Sequence, residues 1–175
     1  MTNSKGKYMK KFLFLSLLLI ISKNVFAASM NMIGEKGNPN NIDRTIKIKM
    51  YDNYYEPNFI EVKKGETIKF IVQNLGEMVH EYNIATKEMH IKHQPEMQKL
   101  MEHGILLIDK IDMVKMKEMS KKDHSLSHSH SNSIMLEPKK TGVIIWKFSK
   151  DINLEIACNV PGHYESGMVG KIVLK

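Results

Sequence analysis

The sequence has one cysteine in 175 residues. No internal disulfide can form, so nothing of the kind that staples small exported domains is available. Long apolar runs are also scarce. Phe12 to Ile21 is a run of ten, about half of the ~20 residues that a membrane span needs, and no other stretch could cross a bilayer. The chain lacks a glycine-rich phosphate loop and any strand–helix–strand alternation, which removes the common nucleotide-binding layouts. A usable excess of positive charge is missing too. The formal charge is +7, from 26 basic and 19 acidic residues, but residues 1–27 carry five lysines and no acid. Without that segment the balance is 21 against 19, or +2. A nucleic-acid function needs a basic face on the folded protein and finds no support here.

The first 27 residues read as an export signal. Lys5, Lys7, Lys10 and Lys11 precede the apolar run, and Val25-Phe26-Ala27 places small residues before a cut after Ala27. The expectation is an exported, periplasmic chain with no stable membrane anchor once the signal is removed. A single thiol in an oxidising compartment is exposed to unwanted chemistry. Ligation to a metal, which holds it as a shielded thiolate, resolves the oddity.

That thiol, Cys158, opens the stretch Cys158-Asn159-Val160-Pro161-Gly162-His163-Tyr164-Glu165-Ser166-Gly167-Met168. Four residues separate Cys158 from His163, and four separate His163 from Met168. A thiolate, an imidazole and a thioether on one short loop are a soft donor set that selects copper over hard cations. With a second histidine, the set becomes the two-His, one-Cys arrangement with a weak axial Met. That histidine must come from elsewhere in the chain; His80 opens a strand directly after the Asn74-Leu75-Gly76 turn. Zinc also uses Cys and His but rarely takes Met as a fourth ligand.

Residues 28–43, rich in Asn, Gly and Ser, read as a flexible mature N-terminus. From Arg44 onward short apolar alternations recur. Ile46, Ile48 and Met50 alternate with lysines. Phe59 to Val62, Thr67 to Gln73, Met78 to Ile84, Val143 to Phe148, Leu154 to Ala157 and Val169 to Leu174 follow, with turn signals between them. Seven or eight short strands of this kind predict an all-β antiparallel sandwich.

The loop from Cys158 to Met168, its closing strand Val169-Gly170-Lys171-Ile172-Val173, and the Asn74-x-Gly76 turn ahead of His80-Glu81-Tyr82 resemble the cupredoxins, the type 1 copper proteins. The closest likeness is to bacterial periplasmic members of the plastocyanin, azurin and rusticyanin kind. It covers residues 44–84 and 134–175. It implies a Greek-key cupredoxin sandwich over residues 44–175 and copper held by His80, Cys158, His163 and Met168. It also implies that the His163 ring edge reaches the surface as an electron port. Many members carry Asn directly after the first histidine, where it ties the two ligand loops together; here that position is Glu81.

Residues 85–135 form an insertion that holds six of the eight histidines and seven of the fourteen methionines. Pro95 to His103 reads as a helix with Pro in its first turn, and Met113, Met116 and Met119 as a second helical face. Ser125 to Ser133 reads as a Ser/His tract without order in the absence of metal. His90, His93 and Met97 on a helical face, with His128 and His130, are candidates for secondary copper.

A two-His, Cys, Met site leaves no open position for a substrate. No second set of histidine pairs of the kind a multicopper oxidase needs is evident, so no enzyme activity is expected. The functional expectation is copper handling or tolerance with one-electron transfer, by a monomer that meets a redox partner or a copper-trafficking protein. The alternative is a dedicated electron carrier without extra copper sites.

Overall fold

Alternation of buried and exposed side chains drives the sheet formation. In strand β2 (Arg44–Tyr51) the lysines face solvent while Ile48 and Met50 are buried, the period of two that a half-buried strand requires. In β5 (Thr67–Asn74) five of eight residues are buried and only Gln73 is exposed, and in β6 (His80–Ala85) all six are buried. This is the pattern of interior strands covered on both faces. The computed structural model describes residues 32–175; the expected signal segment, residues 1–27, lies outside the described residues.

The strands form two five-stranded sheets. One contains β1 (Glu35–Lys36), β8 (Thr141–Lys147), β5, β2 and β3 (Tyr54–Glu56), in that order. The other contains β4 (Phe59–Val62), β10 (Val169–Leu174), β9 (Leu154–Ala157), β6 and β7 (Ser133–Leu136). The chain crosses between sheets after β3, at Pro57. Most pairings are antiparallel, as expected. Each sheet also contains one parallel pair, β2 with β5 and β4 with β10, which the crossover connections make necessary.

The core lies between the sheets. Ile48, Ile68, Phe70, Val72, Ile144 and Trp146 come from the first, and Ile60, Val62, Tyr82, Ile84, Leu154 and Ile156 from the second. Phe70 and Tyr82 bridge the two layers with ring centroids 5.6 Å apart. Aromatic pairs at this spacing contribute about 0.5–1.5 kcal/mol beyond their burial.

Three local expectations need correction. Residues 33–43 are not a loose tail. Ile33 is buried, β1 pairs with β8, and the Gly37 amide donates to the Ile145 carbonyl at 2.9 Å. Two strand-length residues suffice to add an edge, and so short a strand leaves little pattern to read. The helix placed at Pro95 begins eight residues earlier: α1 spans Lys87–Glu102, with Pro95 inside it. The Thr86 hydroxyl accepts from the Met89 amide and caps the start. Burial of Met97 and Leu100 carries the helix past the hydrogen bond that proline lacks.

The third correction is the Ser/His tract, which has a defined course. After α2 (Met113–Met119) and a 3-10 turn (His124–Leu126), Leu126 is buried and Asn132 donates to the Ile84 carbonyl and the Asn83 side chain. Those anchors bring His128 and His130 beside α1. The helix at the methionine repeat forms as expected, though only Met116 of the three is buried.

Candidate metal centre

Register sets the centre. β6 runs antiparallel to β9 with Asn83 opposite Ala157, so continuing the pairing past the end of β9 brings Glu81 opposite Asn159 and His80 to the loop beyond Cys158. That loop folds back on itself. The Cys158 amide donates to the Met168 carbonyl at 3.2 Å, the Met168 amide to the His163 carbonyl at 3.0 Å, and the His163 amide to the Val160 carbonyl at 2.9 Å. Gly162 and Gly167, at φ 87° and 91°, make the two reversals that side chains with a Cβ rarely adopt.

The result is a compact triangle of donors. His80 Nδ1 and His163 Nδ1 are 3.2 Å apart, Cys158 Sγ lies 3.3 Å from His163 Nδ1, and it lies 4.0 Å from His80 Nδ1. All three residues are at most 9 % exposed. Met168 is fully buried, and its backbone links Cys158 to His163. The structure thus converges the two histidines and the cysteine singled out from the sequence. The methionine is held in the same loop.

Two further residues position this triangle, of which Asp52 was not singled out from the sequence. Asp52, in the turn between β2 and β3, places Oδ1 2.8 Å from His80 Nε2. The same carboxylate accepts from the Glu77 amide at 3.1 Å and the Met78 amide at 3.4 Å. An Nε2–H that donates to Asp52 leaves the Nδ1 lone pair free toward the triangle. Gly76 makes the room: a Cβ there would sit 2.3 Å from Asp52 Oδ1 and 2.9 Å from His80 Nε2. The Asn74 side chain shapes the turn, accepting from the Gly76 amide and donating to the Met78 and Leu136 carbonyls.

Glu81 is the second. Its side chain is wholly buried. Its carboxylate accepts from Asn159 Nδ2 at 2.7 Å, the Asn159 amide at 3.2 Å, Asn83 Nδ2 at 3.2 Å, and the Ser133 hydroxyl. It also meets His128 Nε2 at 2.9 Å and His93 Nε2 at 3.4 Å. Burial would raise its pKa, but the bonds from His128 and His93 outweigh that and hold it well below the usual carboxylate range. The Glu81 amide donates to Cys158 Sγ at 3.3 Å. Glu81 therefore takes over the tie between ligand loops that Asn makes in many cupredoxins.

The electrostatics suit a cation. Burial pushes the Cys158 thiol up to about 12 in the metal-free protein, and a bound cation is what would stabilise the thiolate. Burial and the neighbouring His80 push His163 down to about 4; burial also lowers His80. Both imidazoles are neutral near pH 7, the form that binds metal. A thiol, an imidazole and a thioether from one buried loop, with the second neutral imidazole from the start of β6, fit copper by donor softness.

The five secondary candidates divide. His93, His128 and His130 come together, with donor atoms within 4.8 Å of one another. His90 does not join them: it is buried, with Nδ1 3.1 Å from Asn159 Nδ2 and its ring against Tyr164. Met97 is fully buried on α1 as an interior side chain.

The fold and the Cys158 loop define a copper-protein class, and comparison places the chain within it: residues 12–102 match the Cupredoxin-like domain, and this chain belongs to the cupredoxin-like family. That match includes His80 but ends before Cys158. The chain is 34 % identical to the copper-resistant cuproprotein CopI of Pseudomonas aeruginosa over 92 % of both chains. It is 28 % identical to the CopI of Rubrivivax gelatinosus, over 81 % of this chain and 73 % of that one. Among solved structures it resembles dithionite-reduced auracyanin from Roseiflexus castenholzii (TM-score 0.55, 19 % identity, covering 77 % of this chain and 99 % of that one). It also resembles auracyanin B (TM-score 0.58, 11 % identity, 81 % and 96 %). At these identities the structural likeness carries the fold.

Proposed function

We propose that this chain is an exported copper protein of copper tolerance. In this reading His80 Nδ1, His163 Nδ1 and Cys158 Sγ would hold one type 1 copper, with the Met168 thioether as a weak further donor. The observation that carries the reading is the buried triangle of those three donors, fixed by strand register and by a self-bonded loop. Copper bound there supplies a one-electron couple between Cu(I) and Cu(II). The protein's part is to keep the ligands still while the charge changes. Asp52 holds the His80 ring, the Cys158–Met168 and His163–Met168 backbone bonds hold the loop, and the Glu81 amide draws electron density from the sulfur. His163 is the most exposed of the three, at 9 %, and is the electron port to a redox partner.

The donors all come from one buried loop and one strand end, and none of the three that meet is more than 9 % exposed. We therefore read the protein as a binding and electron-transfer protein and not an enzyme. Tolerance, as opposed to a carrier role alone, is supported by the CopI relatives, which are named copper-resistant, and by the histidine cluster beside the triangle. Export to the periplasm rests on the charged and apolar pattern of residues 1–27. Among the described residues no helix is long and apolar enough to cross a membrane.

The test is reconstitution with Cu(II). An intense visible thiolate-to-copper band should appear and be absent from Cys158→Ser, and loss of the gene should lower growth at high copper. Full copper occupancy without colour overturns the ligand set. Unchanged copper sensitivity leaves the carrier role in its place.

A further inference from the structure

The histidine-rich insertion and the first site meet at one side chain. Glu81 follows His80 in β6, yet its carboxylate turns away from the triangle toward the insertion. There His93, from the middle of α1, and His128, from the loop after the 3-10 turn, approach it. Their Nε2 atoms lie 3.3 Å from each other and 3.4 Å and 2.9 Å from Glu81 Oε1. The His130 ring lies 4.8 Å from that of His128 and 5.4 Å from that of His93. Two imidazoles from segments 35 residues apart meet a fully buried carboxylate, and a third, His130, packs against both of their rings. A solvated loop has no need of that arrangement. A surface groove of about 230 Å³ opens onto the same cluster. His128 and His130 line it together with Met113, Met116 and Met135.

We propose that His93, His128 and His130, with the Glu81 carboxylate as fourth donor, form a second copper site, entered through the thioether-lined groove and felt at the first site through Glu81. Three imidazoles and a carboxylate suit Cu(II), which such donors hold more tightly than other divalent first-row ions. The thioethers at the mouth suit Cu(I), so both oxidation states meet fitting donors on the way in. The coupling follows from the bonds of one residue. Glu81 Oε1 faces the cluster, Oε2 accepts from Asn159 beside Cys158, and the backbone amide donates to the Cys158 sulfur. A cation that draws on Oε1 changes the position and charge of the group that bonds the thiolate.

The experiment is titration of the purified protein with Cu(II) alone, followed by visible absorption and electron paramagnetic resonance. The expected result is two coppers per chain. The first carries the intense visible band; the second has the ordinary resonance of nitrogen- and oxygen-bound Cu(II) and shifts that band as it enters. Zn(II) added to protein holding one copper should reproduce the shift without a second resonance. In the double variant His128→Gln, His130→Gln, uptake should fall to one. The first band should persist, which shows the variant folded, and should no longer move. Saturation of the wild type at one copper overturns the site, as does a second copper bound equally well by the double variant. A second copper that leaves the first band unmoved overturns the coupling. A second resonance without any visible band supports this site while removing the type 1 reading of the first.

Discussion

Asn159 Nδ2 donates to Glu81 Oε2 at 2.7 Å, and so joins the residue after Cys158 to the residue after His80. The His80 strand and the Cys158 loop are thereby fixed to each other one residue beyond His80 and Cys158. Asn159→Ala removes this donor, although the Asn159 backbone amide still reaches the carboxylate. An unmet buried hydrogen-bonding group costs about 1–3 kcal/mol. The metal-free protein should lose stability of that order in a denaturant titration, and copper should dissociate faster. A loss below about 0.5 kcal/mol, within the range of ordinary surface changes, would show that the tie holds nothing.

Asp52 should govern how well His80 binds. Removing a carboxylate that orients a ligand histidine typically weakens metal affinity by about 10–100-fold. Asp52→Ala should show a loss of that size in competition against a copper chelator. Asp52→Asn keeps an acceptor for the Nε2 hydrogen and should retain more affinity than the alanine variant. Equal affinity in wild type and Asp52→Ala would leave the residue a backbone anchor for the Glu77 and Met78 amides only.

Gly76→Ala attacks the same contact from the other side. Its Cβ would lie 2.3 Å from Asp52 Oδ1, so the carboxylate must leave His80. The affinity loss should match that of Asp52→Ala. In the double variant the two losses should add only in part, because both act through the Asp52–His80 bond while the Cβ also crowds His80 Nε2 at 2.9 Å. Additive losses would mean that Gly76 supports the turn by a separate route.

These residues show how far the sequence could be read. Cys158 and His163 could be paired because their spacing lies within one loop, and their donor atoms do meet; Met168 is shown only as a buried side chain of that loop. His80 was legible because a turn and a strand start are local features. The strands with clear alternation or continuous burial were found close to their boundaries, as with Phe59–Val62 and Val169–Leu174. Asp52 was not legible: its partner is 28 residues away, and an acidic residue in a hairpin turn is ordinary. Glu81 was noted as the residue in the usual Asn position, but its role could not be read, for the opposite reason. All six residues of β6 are buried, so no alternation indicates where a charged member of the strand points. On α1, residues 90, 93 and 97 share a helical face by spacing alone. Only the packing shows that His90 turns to Asn159 and Met97 to the interior, leaving His93 to meet His128. Thr86, a good N-cap, was present in the sequence, but Pro95 drew the helix start to itself.

Met168 offers the sharpest test of the first site's chemistry. It is fully buried, so a substitution there must respect volume before its electronic effect can be read. Met168→Leu does: such exchanges usually cost less than about 1.5 kcal/mol. The backbone bonds from the Cys158 amide to the Met168 carbonyl and from the Met168 amide to the His163 carbonyl do not involve the side chain, so the loop should keep its course. His80, Cys158 and His163 should then still hold copper, while the thioether that would donate to Cu(II) is gone. Losing a donor disfavours the higher oxidation state, so the reduction potential should rise, measured by titration of the visible band against a mediator of known potential. Copper content should stay at the wild-type value for this site. A fall in potential would contradict the axial-donor role. Loss of copper with an intact fold would make Met168 a principal ligand and not a weak one.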